Sequence, residues 1–68
     1  MFAKGDLVYV PQSAVFYGLG QGSLYVNKKP SLALFVDYAE DGYVKVMFNG
    51  KTWLIKDREV YLNNQGGR

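Results

Sequence analysis

Val44-Lys45-Val46-Met47-Phe48-Asn49-Gly50-Lys51-Thr52-Trp53-Leu54-Ile55 is two alternating runs joined by Asn-Gly. Both turn residues tolerate positive φ, so the pair favours a two-residue type I′ hairpin, the turn whose twist matches that of its flanking strands. This turn fixes the register: Phe48 faces Lys51, Met47 faces Thr52, Val46 faces Trp53, Lys45 faces Leu54 and Val44 faces Ile55. One face then carries Val44, Val46, Phe48, Trp53 and Ile55, and the other Tyr43, Lys45, Met47, Thr52, Leu54 and Lys56. A slip of one residue would exchange the two faces and put the first set in water, so the first set is the core.

Outward from this hairpin the chain keeps the same character. Short runs rich in Val, Tyr and Phe are separated by Gly, Asn, Asp and Pro, and no segment has the period of a helix of ordinary length. Leu7-Val8-Tyr9-Val10 is one run, closed by Pro11, which cannot donate to a ladder. Leu32 to Tyr38 is another, left through Glu40-Asp41-Gly42, and Val60-Tyr61-Leu62 is the last. Leu32 to Tyr38 is apolar on both sides, so it is either covered on both faces or bends and serves two sheets in turn. Gln12 to Pro30 is too long for a hairpin turn and holds Val15-Phe16-Tyr17 and Leu24-Tyr25-Val26, which predicts a long excursion with its own two-stranded ribbon. Lys56 to Glu59 suits one 3₁₀ turn.

Strand, long excursion, long middle strand, acidic turn, tight hairpin, 3₁₀ turn and last strand is the layout of an SH3-like small barrel. The expectation is therefore an all-β, five-stranded closed barrel over residues 1–62, with 63–68 as a flexible tail. Lys4-Gly5-Asp6-Leu7-Val8-Tyr9-Val10 resembles the opening of KOW-type barrels, although no Gly-basic-Gly loop follows Pro11. Ala33 to Leu62 resembles the Tudor-type pattern of apolar strand, acidic turn, Val-x-Val-x-Phe and tight turn. Lys4 to Pro11 together with Gly50 to Leu62 is similar to small uncharacterised proteins of tailed bacteriophages, which implies a phage origin and names no activity.

Composition narrows the chemistry. The 68 residues include no cysteine and no histidine, so disulfides, thiolate metal sites and the usual general base are all missing. Hydrophobic residues make up 49% and charged ones 21%, which is globular composition. A net charge of +2 is too weak to single out nucleic acid or membrane. Lys4 and Asp6 interrupt the first apolar stretch and no run nears the ~20 residues of a membrane helix, so a soluble cytoplasmic protein is expected, in the host cytoplasm if phage-encoded. Gly18-Leu19-Gly20-Gln21-Gly22 lacks the helix that a phosphate-binding loop opens, and reads as a turn. Asp37, Glu40, Asp41, Asp57 and Glu59 fall at or beside turns and read as solvated, and Ser13, Ser23 and Ser31 have no histidine to activate them. No catalysis, cofactor or metal is expected.

Tyr9, Phe16, Tyr17, Tyr25 and Tyr43 exceed what so small a core can bury. The candidate partner surface is accordingly the side of the long excursion: Tyr9, Phe16, Tyr17, Tyr25, Lys28 and Lys29. Exposed aromatics suit a protein interface or self-association. The alternative is single-stranded nucleic acid, with bases stacked on the rings and phosphates held by lysines.

Overall fold

The computed structural model of the chain describes residues 1–20 and 22–63, so Gln21 and most of the expected tail, 64–68, lie outside the described residues. Seven strands form: β1 (Leu7–Val10), β2 (Val15–Gly18), β3 (Leu24–Val26), β4 (Ser31–Tyr38), β5 (Tyr43–Phe48), β6 (Lys51–Lys56) and β7 (Tyr61–Leu62), with a 3₁₀ turn at Asp57–Glu59 before the last. The expected 3₁₀ turn thus forms, and the fold is all-β.

The β5–β6 hairpin adopts the register read from Asn49-Gly50, from Tyr43 opposite Lys56 to Phe48 opposite Lys51. Asn49 (φ 54°) and Gly50 (φ 75°) both take the positive φ of a type I′ turn. Asp41 (φ 57°) and Gly42 (φ 81°) repeat the device between β4 and β5, closed by the Tyr43 N–H donating to the Glu40 carbonyl at 3.1 Å. Val44, Val46 and Ile55 are buried, with Phe48 and Trp53 partly buried against them.

Strand number and closure differ from the expectation. All seven strands form one antiparallel sheet in the order β3-β2-β6-β5-β4-β1-β7, open at its two ends, where a closed five-stranded barrel was expected. The reason lies in residues 12–30. Their ribbon forms, with Val15 opposite Val26 and Tyr17 opposite Leu24, but it extends the sheet because Tyr17 and Gly18 pair with Leu54 and Trp53 of β6. Val8 and Val10 of β1 nonetheless share a core with Phe16 of β2, which the sheet order separates by three strands, so the sheet curls around its inner face.

The middle strand β4 is neither covered on both faces nor shared between two sheets: it lies in the single sheet and is covered on one face only. Ala33 and Phe35 point inward, whereas Leu32 and Leu34 are exposed. A bulge between Phe35 and Asp37 then inserts Val36 as an extra residue, which bends a strand and raises its twist. Tyr38 comes to lie opposite Val44, on the inner side. Its ring packs 5.0 Å from that of Phe35, and its hydroxyl accepts the Phe2 backbone N–H at 2.6 Å.

Asn27, directly after β3, spans the opening that the ladder leaves. It is 2% exposed, the one buried polar residue among those described. Its Nδ2 donates to the carbonyl oxygens of Val10 (3.1 Å) and Pro11 (3.0 Å), and its Oδ1 lies 3.3 Å from the Ser31 hydroxyl, whose single proton it shares with the nearer Lys29 carbonyl at 2.9 Å. Its backbone N–H donates to Ala14 O and its carbonyl accepts from the Ser13 N–H, both at 2.8 Å. Asn27 thus ties the end of β1 toward the start of β4 through its side chain, and the residues just before β2 to the end of β3 through its backbone.

Candidate functional site

The predicted partner residues are distributed over both sides of the sheet and do not form one patch. Phe16 has no exposed surface: its ring stacks on Phe48 at 4.5 Å and meets Trp53 edge-on at 5.9 Å. It belongs to the core, which removes it from any partner surface. Tyr25 is partly buried against the same cluster, its ring 5.9 Å from Phe16 and 6.3 Å from Trp53. Lys28 and Lys29 are exposed in the β3–β4 connection. Tyr9 and Tyr17 lie on the outer side of the sheet, Tyr9 toward the β7 edge and Tyr17 toward the β3 edge.

The structure instead brings Tyr17 together with Tyr43, across β6. Their rings meet edge to face, 5.7 Å apart at 76°, an arrangement that the ring quadrupoles favour. They line an open cleft of about 480 Å³ with Leu54, Leu19, Ala39, Glu40 and Lys45. Each part has a local cause. Tyr17, Leu54 and Lys45 are successive cross-strand neighbours of β2, β6 and β5, so all three point to the same side. Leu19 stands at the tip of the β2–β3 ribbon. Ala39 and Glu40 are set by the β4–β5 turn, where the Ala39 N–H donates to the Tyr43 carbonyl at 2.9 Å.

The walls of this cleft are aromatic and aliphatic, and charge is confined to Lys45 and Glu40. Its volume falls in the ~300–1,000 Å³ range of ligand sites. Such a cleft can take up an apolar group against the paired rings and Leu54, with the polar flanks of that group left to the rim. Among the described residues no three histidine, cysteine or acidic side chains come close enough to hold a metal ion, and no helix is long and apolar enough to cross a membrane. Tyr43 stood out in the sequence only as one surplus aromatic. Its partnership with Tyr17 depends on the β2–β6 pairing, which no local pattern announces.

Nearer the β7 edge, the outer side is apolar without being enclosed. Leu7 lies opposite Leu34, and Leu34 opposite Met47; Tyr9 lies opposite both Leu32 and Tyr61. All six side chains are between 37% and 56% exposed.

No family model matches this chain, and no match to it is found among curated proteins or solved structures.

Proposed function

We propose that the chain is a non-catalytic cytoplasmic adaptor, an SH3-like barrel opened along one seam, that binds an extended segment of a partner protein in the Tyr17–Tyr43 cleft. The observation that carries this reading is the cleft itself: two tyrosine rings and Leu54 forming an apolar slot at the solvent face of a domain with a separate, filled core. Aromatic-lined grooves grip extended peptides at low entropic cost, because the ligand backbone is already straight. An apolar side chain of the ligand packs beside the paired rings, against Leu54 and Leu19, while the hydroxyls of Tyr17 and Tyr43 and the heads of Lys45 and Glu40 meet its backbone and flanks. The strand order and the tight turns support the SH3-type layout. The resemblance to small phage proteins suits an adaptor of host or virion components.

Selection of a random peptide library against the protein tests the reading, followed by titration of the enriched peptides. Enriched peptides should share an apolar anchor, and Tyr43→Ala should weaken them at least tenfold, or about 1.4 kcal/mol, as expected for an aromatic hot spot. Leu19→Ser, a surface change at the rim, should weaken them less. Peptides that bind both variants as well as they bind the parent would refute this use of the cleft. Tight binding of single-stranded DNA that falls steeply with salt would favour a nucleic-acid ligand instead.

A further inference from the structure

The second outer surface carries an inference independent of the cleft. We propose that the apolar face formed by Leu7, Tyr9, Leu32, Leu34, Met47 and Tyr61 is where two copies of this chain pack, sheet against sheet, about a two-fold axis. The six residues occupy consecutive positions across β7, β1, β4 and β5, in the two rows Tyr61–Tyr9–Leu32 and Leu7–Leu34–Met47. Each lies on the opposite side of its strand from a core residue: Val8 and Val10 alternate with Leu7 and Tyr9, and Ala33 and Phe35 with Leu32 and Leu34. An antiparallel sheet with one wet side usually sets polar residues there. Here the wet side is as aliphatic as the core side.

Area and the lack of charge favour a second copy as the occupant. Side chains of this size present roughly 200 Å² each when free, so the six, at 37–56% exposure, leave about 500 Å² of apolar surface in one patch. That is near the upper end for a monomer and forms the centre of the ~800 Å² that each partner contributes to a stable interface. No charged side chain lies among the six. A charged or strongly polar partner finds no counterpart on this patch, whereas a second copy presents the same uncharged rows. A two-fold axis places each row against its equivalent, and sheet faces pack well at ~10 Å separation, aligned or crossed. With a net charge of only +2 per chain, two copies repel weakly.

Sedimentation equilibrium of the full chain over about 1–300 μM tests this proposal. The parent should approach twice its 7.7 kDa mass, and Leu34→Lys should raise the dimer dissociation constant at least tenfold with an unchanged circular dichroism spectrum. Leu32→Lys provides the same test if Leu34→Lys fails to fold. Leu24→Lys alters an exposed apolar residue on the β3 edge, away from the patch, and should leave the dimer intact. A parent that stays at monomer mass throughout overturns the proposal. So does a dimer that tolerates both Leu32→Lys and Leu34→Lys, or one that only Leu24→Lys disrupts.

Discussion

Replacing Asn27 by alanine should remove a large share of the domain's stability. The side chain makes two hydrogen bonds, to Val10 O and Pro11 O, and shares the Ser31 hydroxyl proton with the Lys29 carbonyl. Each contributes about 1 kcal/mol net. Removing Nδ2 also strips a donor from two carbonyls beside a side chain that is 2% exposed, so the loss should reach about 3 kcal/mol. A chain of 68 residues has in total roughly 3–10 kcal/mol at the usual stability per residue. At about 4–8 °C per kcal/mol for a domain of this size, the midpoint should fall by roughly 12–24 °C. Urea and thermal unfolding followed by the fluorescence of Trp53, the sole tryptophan, provide the measurement. Asn27→Asp sharpens it, since a carboxyl there can donate only when protonated, and then only once. Burial raises its folded-state pKa above the unfolded value of about 3.9, so what stability that variant keeps is present at low pH and is lost as pH rises through the folded-state pKa. If Asn27→Ala shifts the midpoint by less than about 5 °C, and Asn27→Asp shows no pH dependence beyond that of the parent, then the amide does not hold the sheet ends together.

Three further outcomes follow from the packing. Phe16→Ala should cost about 3–5 kcal/mol and collapse the dispersion of the amide NMR spectrum. Gly50→Ala meets no atom within 4 Å, so its penalty of about 1 kcal/mol, read by urea unfolding, is purely that of the left-handed backbone. Trp53→Phe removes the Nε1–H bond to the Phe48 carbonyl (3.1 Å) along with some ring area, and should lower stability by about 1–2 kcal/mol, read by calorimetry.

The sequence was most informative where structure is local. Asn49-Gly50 specified its turn, its register and the inner face of two strands because every determinant lay within a dozen residues. β1 has the bounds of its apolar run for the same reason. The excursion from Gln12 to Pro30 was legible as a ribbon, but its docking on β6 was not, since strands distant in sequence find each other through tertiary packing. Phe16 reads the same whether it joins a core or a surface, and only the β2–β6 pairing sends it inward. Leu32 to Tyr38 was ambiguous because its exposed side carries Leu32 and Leu34, as apolar as the buried Ala33 and Phe35, and because the bulge at Val36 has no marker residue. Asn27, within Asn-Lys-Lys-Pro, has turn composition, and nothing local reveals that its side chain reaches back to Val10. Of the six candidate partner residues, only Tyr17 lines the cleft.

The β4–β5–β6 meander also sets an order of events in folding. Its two turns of positive-φ pairs join neighbouring strands, so its contacts close short loops at little entropic expense. β1–β4, β2–β6 and the Asn27 amide bridge much longer stretches and gain only once the meander stands. Stopped-flow kinetics should therefore find that Gly50→Ala chiefly slows refolding, while Asn27→Ala chiefly speeds unfolding, placing the meander inside the folding nucleus and the amide outside it.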